Sequence, residues 1–303
     1  MPAPATIHHL TIVDWNVHVG SGQVGELLDR LPLDAAQGRP FDTAQGRPFD
    51  AAQGRPFDTA QGRPLDAAQG RPFDAAQGRQ PEGIVLLLQE AYRSGEEVPD
   101  APPGLDVPAK IHRHPRTLDI VSIARARGLN LAYVPSMRNG SGTGVGERED
   151  RGSAILSSEP LSDVTAIELP IGHERRVAVL ATVTPRGGTP VRVVAAHFDV
   201  LRGARQQGEH LAAYLMSHPS PLPIVLGIDA NAIAGAHSGA VHAIEKVAPR
   251  LRLCGTGRTN AWLARIDFLF SNLPSSSIDR CETLHDRYGS DHSPQVLIVN
   301  APT

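Results

Sequence analysis

The chain has 303 residues, a formal net charge of −3 and 41% hydrophobic residues. That length and apolar content support a real core in one large domain or two ordinary ones, and exclude a disordered or fibrous chain. The near-neutral charge excludes a global basic field of the kind that drives non-specific nucleic-acid binding. Of the 29 basic residues only Lys110 and Lys246 are lysines. The N-terminus has no charged stretch followed by an apolar one, and no apolar run reaches the ~18 residues of a membrane span, so a cytoplasmic protein is expected. Cys254 and Cys281, the two cysteines, fall in no metal-ligand spacing, and no disulfide framework is expected from them.

Leu10, Ile12 and Val13 mark a first strand within Thr6–Val17 that ends on Trp15 and Asn16. Val24, Leu27, Leu28 and Leu31 then repeat at helical spacing. Leu33 to Gln80 is six tandem copies of an eight-residue unit of the LDAAQGRP type. Each copy is neutral and carries a Gly and, in all but the last, a Pro, so neither a long helix nor a packed core follows from it. We read residues 1–32 and 81–303 as one domain, and 33–80 as a disordered insertion.

The apolar strand Gly83–Glu90, GIVLLLQE, closes on a carboxylate, which suits a hard divalent cation. A polar loop with a basic cluster from Lys110 to Arg116 follows, then a helix over Leu118–Arg127 and a strand over Leu129–Met137. Asn139 to Glu147 is a Gly- and Ser-rich loop. Further strands are expected at Asp150–Ser157, Val164–Leu169, Val177–Thr184 and Val191–Val200, the last carrying His197 and Asp199 near its end. Two helices are expected over Ala204–His218 and His237–Val247.

Between those helices lies PIVLGIDAN, Pro223–Asn231. It is a buried strand that delivers Asp229 and Asn231 at i, i+2, on one face of its C-terminal end. The strand Ala264–Ser271 holds Asp267, and a final strand, Gln295–Asn300, follows SDHSP. Some ten strands, often in hairpin sequence, with a few helices predict sheet packed on sheet with helices outside.

The motifs WNVH, LLLQE, DRGSAILS, AAHFDV, GIDAN, RIDFLF and SDHSP, in that order, make the chain resemble the endonuclease/exonuclease/phosphatase superfamily of metal-dependent hydrolases. The resemblance runs from about Thr6 to Val299. It implies an α+β fold, a four-layer α/β/β/α sandwich of two mainly antiparallel sheets. It also implies a role for each matching residue. Glu90 is the Mg²⁺ ligand, assisted by Asp291 and Asn16, and Mn²⁺ is an expected substitute. Asp229 orients or deprotonates the attacking water, and Asn231 holds the phosphate. His292 faces the scissile phosphate and Asp267 orients it, as in other carboxylate–imidazole pairs. His197 is a second phosphate contact, with Arg151 a further anion contact. Ala195 and Ala230 depart from the superfamily pattern, and neither removes a required group.

The expected activity is Mg²⁺-dependent phosphoester hydrolysis, preferably of a phosphodiester. A diester carries one negative charge, and Arg151 is the one arginine to which the resemblance gives an anion contact. A nucleic-acid substrate is one candidate, favoured slightly by the Lys110–Arg116 cluster. A phosphomonoesterase, a sphingomyelinase-like lipid phosphodiesterase and a catalytically lapsed phosphate-binding module are the alternatives. A monomer is expected.

Overall fold

A computed structural model describes residues 9–37, 83–95, 98, 119–138, 149–186, 188–200, 202–232, 237–251, 254, 257–262 and 265–299. Its strands are β1 (Leu10–Asn16), β2 (Ile84–Ser94), β3 (Asn130–Arg138), β4 (Glu149–Ser157), β5 (Leu161–Glu168), β6 (Val177–Val183), β7 (Val191–His197), β8 (Ile224–Asp229), β9 (Asp267–Ser271), β10 (Ile278–Thr283) and β11 (Gln295–Val299). Its helices are α1 (Val24–Gln37), α2 (Ile120–Ala126), α3 (Arg202–Ser217) and α4 (Gly239–Ile244).

The strands form two mixed, mainly antiparallel sheets. One has the order β10-β11-β1-β2-β4-β3 and the other β5-β6-β7-β8-β9. Each contains one parallel pair, β1 with β2 and β7 with β8. Side chains alternate along each strand, and both faces are apolar because both are covered. Leu10 and Ile12 of β1, Val85 and Leu87 of β2, Val193 and Ala195 of β7, Val225 of β8 and Leu269 of β9 fill the space between the sheets. On the outer face of the first sheet, Val13, Trp15, Leu86 and Leu88 meet Leu27 and Leu31 of α1 and Ile123 of α2. On the outer face of the second, Val194, Leu226, Ile228 and Phe268 meet Leu211 and Leu215 of α3 and Val241 and Ile244 of α4. Three apolar layers between four structural ones make the α/β/β/α sandwich.

Four readings of the sequence change. β10 was not foreseen. It is a polar edge strand with only Cys281 buried, so neither face carries an apolar signal. Glu90 does not close β2. The strand runs on to Ser94 through a register shift between Leu88 and Ala91, and Glu90 stands in it with φ +53. Helix α1 continues to Gln37 and so takes in the start of the first repeat unit. The rest of the repeat block, the Lys110–Arg116 cluster and the Asn139–Glu147 loop lie outside the described residues. Finally, Cys254 and Cys281 form a disulfide, with Cα atoms 4.5 Å apart. The spacing of 27 residues concealed it, because the tertiary fold alone brings them together.

That bridge fastens the segment leading to Thr259 and Asn260 onto β10, and Thr283 Oγ1 adds a hydrogen bond to the Cys254 carbonyl at 2.8 Å. Closing a loop of this length removes about 3–4 kcal/mol of unfolded-chain entropy. Urea unfolding with and without reductant is expected to show that loss, as a lower midpoint in the reduced protein. An unchanged midpoint would mean that the bridge does not form in solution.

Candidate active site

The inner faces of the strands turn from apolar to polar at one rim. Along β1 the inward sequence is Leu10, Ile12, Asp14, Asn16, and along β8 it is Val225, Gly227, Asp229. His197 ends β7, Asp267 begins β9, and Arg151 lies on β4. The parallel pairing sets these ends side by side, with His197 opposite Asp229 and Asn16 opposite Gln89. Gly227 is required on the way, because a Cβ there would stand 2.5 Å from Asp14 Oδ1 across the sheets.

Asp229 is at the centre and is 1% exposed. Oδ2 accepts from Asn16 Nδ2 at 2.8 Å, and Oδ1 accepts from the Asn231 backbone N–H at 3.0 Å. Burial, then the charge of Asp267, pushes its carboxyl up to about 7, against relief from His292, Asn16 and Asn231. Asn231 has φ +44, a left-handed conformation that asparagine tolerates better than most residues. Its Nδ2 donates to the Phe198 carbonyl at 2.7 Å and lies 3.0 Å from His197 Nε2.

His197 is buried, and Arg176 NH1 reaches its Nδ1 at 2.9 Å. A guanidinium can only donate, so Nδ1 accepts, while Nε2 faces the Asn231 amide nitrogen at 3.0 Å and Asp229 Oδ2 at 3.4 Å. Burial, with Arg176 and Arg151 nearby, holds this imidazole well below its ordinary pKa and therefore neutral.

His292 is the opposite case. Burial disfavours its charge, but Asp267, then Asp229 and Asp291, outweigh burial and push it up to about 10. Both Asp267 oxygens lie within 3.0 Å of its Nδ1. Asn260 opposes the cation. Its Oδ1 is taken by Trp262 N–H, which leaves Nδ2 facing His292 Nε2 at 2.8 Å. In either protonation state Nδ1–H points at Asp267 and Nε2 faces the cleft, 3.9 Å from Asp229 Oδ2. Thr259 Oγ1 fixes the start of β9 by accepting from the backbone N–H groups of Ile266 and Asp267.

Glu90 lies beside this group. Its Oε2 accepts from Val19 N–H and from Arg151 NH1, each at 3.1 Å, while Oε1 faces His197 Nδ1 at 3.8 Å. Arg151 and Arg176 are both bridged by Glu174, at 3.4 and 2.7 Å. Asp291 Oδ1 sits 3.4 Å from His18 Nδ1 and 3.8 Å from His292 Nε2, buried without a hydrogen bond. Asn16 spends both ends of its amide, since Oδ1 accepts from His18 N–H.

Two potential cation positions follow. Asp229, Asp267 and His292 place ligand atoms within 4.8 Å of one another. Their atoms are already bonded to each other and to Asn16 and Asn231, which describes a hydrogen-bonded unit. Glu90 Oε1 and Asp291 Oδ1 are the carboxylate oxygens with capacity to spare.

The strand-end residues were legible as polar side chains closing apolar runs. Arg176, Glu174, Asn260 and Thr259 were not, because they lie in loops or at a strand start with no periodic signal. Asp14 was also missed. It is wholly buried, with Oδ1 bonded to Gln89 and Oδ2 unpartnered, and burial, then Asp267, raises its pKa well above the carboxylate range.

The chain matches the profile of the Endonuclease/Exonuclease/phosphatase family over residues 15–292. It belongs to that family, whose members hydrolyse phosphoester bonds with a divalent metal. No curated protein matches the sequence. Among solved structures, it is similar to an endonuclease/exonuclease/phosphatase from Beutenbergia cavernae, with TM-score 0.56 and 16% identity over 97% of this chain and 72% of that one. A family protein from Leptotrichia buccalis gives TM-score 0.56 and 13% identity over 96% and 99%. The human Nocturnin catalytic domain, solved with a bound sulfate, gives 0.53 and 13% over 97% and 94%. These likenesses bear on the fold.

The Asn16–Asp229 bond carries a pH-dependent prediction. A raised carboxyl pKa means that Asp229 weakens the fold as pH climbs from its unfolded value of ~3.9 through about 7. Asn16 offsets this by bonding the charged form. Asn16→Ala is therefore expected to cost about 1–3 kcal/mol, with a melting-temperature deficit larger at pH 8 than at pH 5. An equal deficit at both values would count against a charged Asp229.

Proposed function

We propose that the chain is a Mg²⁺-dependent phosphodiesterase acting by water attack on phosphorus. The observation behind this reading is the meeting at one rim of an amide-supported carboxylate, Asp229, and a carboxylate–imidazole pair, Asp267–His292. Asp229, freed of its proton, accepts one from water as the new O–P bond forms and the ester O–P bond breaks. Asp267 fixes the His292 ring so that Nε2 meets a phosphoryl oxygen. His197 and the Asn231 amide serve the same phosphate group. Asn16 acts as a positioning residue for Asp229.

Glu90 and Asp291 would hold the cation, since each keeps an oxygen outside the hydrogen-bond network. When bound, the ion supplies Lewis-acid polarisation of the phosphoryl oxygen. Residues 1–32 and 81–303 form the catalytic domain, with 33–80 an insertion that takes no part. Arg176 adds a cation that no matched motif contains, and Glu90 and Glu174 offset Arg151 and Arg176.

The chelated enzyme is expected to be inactive, and Glu90→Gln to lose about 10²-fold or more in kcat/KM at limiting Mg²⁺, that is, several kcal/mol of barrier. Full turnover in excess chelator would overturn the metal requirement. His292→Ala and Asp267→Ala are each expected to cost about 10³-fold, and the double variant little more than one of them. Multiplying effects would show two independent residues. Bis(p-nitrophenyl) phosphate should be cleaved faster than p-nitrophenyl phosphate. The reverse order would favour a phosphomonoesterase, and neither activity a binding module.

A further inference from the structure

Between Glu90 and His197 lies a narrow, closed-up crevice lined by Ser136, Arg151, Ser153 and Arg176 as well. Two arginines on its floor are almost wholly buried, Arg151 at 9% and Arg176 at 6% exposure. Burying two guanidinium groups side by side is costly unless each meets an anion. They share one. Glu174 Oε2 bridges Arg176 NH2 at 2.7 Å and Arg151 NH2 at 3.4 Å. Neither guanidinium is saturated by oxygen. Arg176 Nε is buried without a partner, and Arg151 directs Nε and NH2 at the Met137 sulfur, a weak acceptor, at 3.3 and 3.0 Å.

Glu174 itself is more than a third exposed, so its carboxylate can swing to solvent while the arginines cannot. Its backbone is held in place. Asp199 Oδ2 accepts from the N–H groups of His173 and Glu174, and Gln207 ties the same loop through the Pro170 carbonyl at 2.8 Å. Arg175 pins the other side of the loop to the Pro135 carbonyl at 2.7 Å. Glu174 is thus a partly exposed carboxylate bridging two buried arginines, one of which also reaches His197.

We propose that Arg151 and Arg176 form a second anion subsite for which Glu174 is the resident, displaceable occupant. The substrate then carries a second phosphate close to the one that is cleaved. This rests on the phosphodiesterase reading and narrows its substrate class. Two chemistries supply such a pair: phosphates on successive positions of a nucleotide strand, and the adjoining phosphates of a diphosphate. Arginine forks suit either, because they bind phosphate oxygens two at a time. A substrate with a lone phosphate leaves the Glu174 bridge intact and gains nothing from the subsite.

Binding separates this idea from turnover. With the full chain, thymidine 5′-monophosphate, thymidine 3′,5′-bisphosphate and thymidine 5′-diphosphate are titrated calorimetrically. At least one two-phosphate ligand is expected to bind about tenfold more tightly than the monophosphate, and which one does so identifies the phosphate spacing. Glu174→Gln should widen that ratio several-fold, and Arg176→Gln should bring it to about one. Equal affinities for all three ligands in the wild type and in Glu174→Gln would overturn the subsite. A second readout is the KM ratio between the p-nitrophenyl ester of thymidine 5′-phosphate and the same ester bearing a 3′-phosphate. If neither ester is hydrolysed while the bisphosphate still binds in preference, the phosphodiesterase reading fails and the subsite stands.

Discussion

The hydrogen bond from Asn16 Nδ2 to Asp229 Oδ2 joins the two sheets at the centre of their polar rims, and Gln295 to the Asp267 carbonyl and Ser153 to the Val177 carbonyl cross the same gap. The site depends on such polar ties, because the catalytic groups are divided between layers whose contact is elsewhere mostly apolar. Glu90 and Arg151 belong to the first sheet, and His197, Asp229 and Asp267 to the second. Apolar contact sets a distance but no register. The amide–carboxylate bond, with Gly227 giving way to Asp14 beneath it, fixes how the two sheets slide past one another.

The electrostatics follow from that placement. Asp14, Asp229 and Asp267 lie close together in a space with little water, so all three cannot comfortably be charged. The protein distributes the load. Asp14 keeps its proton, Asp267 is balanced by His292, and Asp229 is left near neutrality with two amide donors to support its anion. The two histidines are divided likewise. His197, facing Arg176, stays neutral, whereas His292, facing carboxylates, is drawn towards the cation.

The sequence made most of this fold legible because both sheets are covered on both faces. Their strands therefore read as unbroken apolar runs, and each polar side chain that ended one stood out. Asp229, His197 and Asn16 stood out in that way, whereas Asp267 lay inside its expected strand and took its role from the resemblance. β10 lacked the signal because it is a polar edge, and Glu90 was placed at a strand end because a bulge leaves no trace in composition. Arg176 was passed over because two adjacent arginines look alike in a sequence. In the fold Arg175 pairs with Glu168 at the surface, and only Arg176 turns inward. The cysteine pair was invisible because nothing in linear spacing says which loops will meet.

The parallel pairing of β1 with β2 has a consequence for how such a chain can change over generations. Parallel neighbours cannot be joined by a tight turn, so the connection must travel back along the sheet, here by way of α1. The register of the two strands is set by their own ladder and by β11 and β4 on either side, not by the length of that return path. Lengthening it costs only about 0.6 kcal/mol per doubling in closure entropy. The six-unit repeat lies in this return path. Added length that would be ruinous inside a hairpin therefore costs little in this connection.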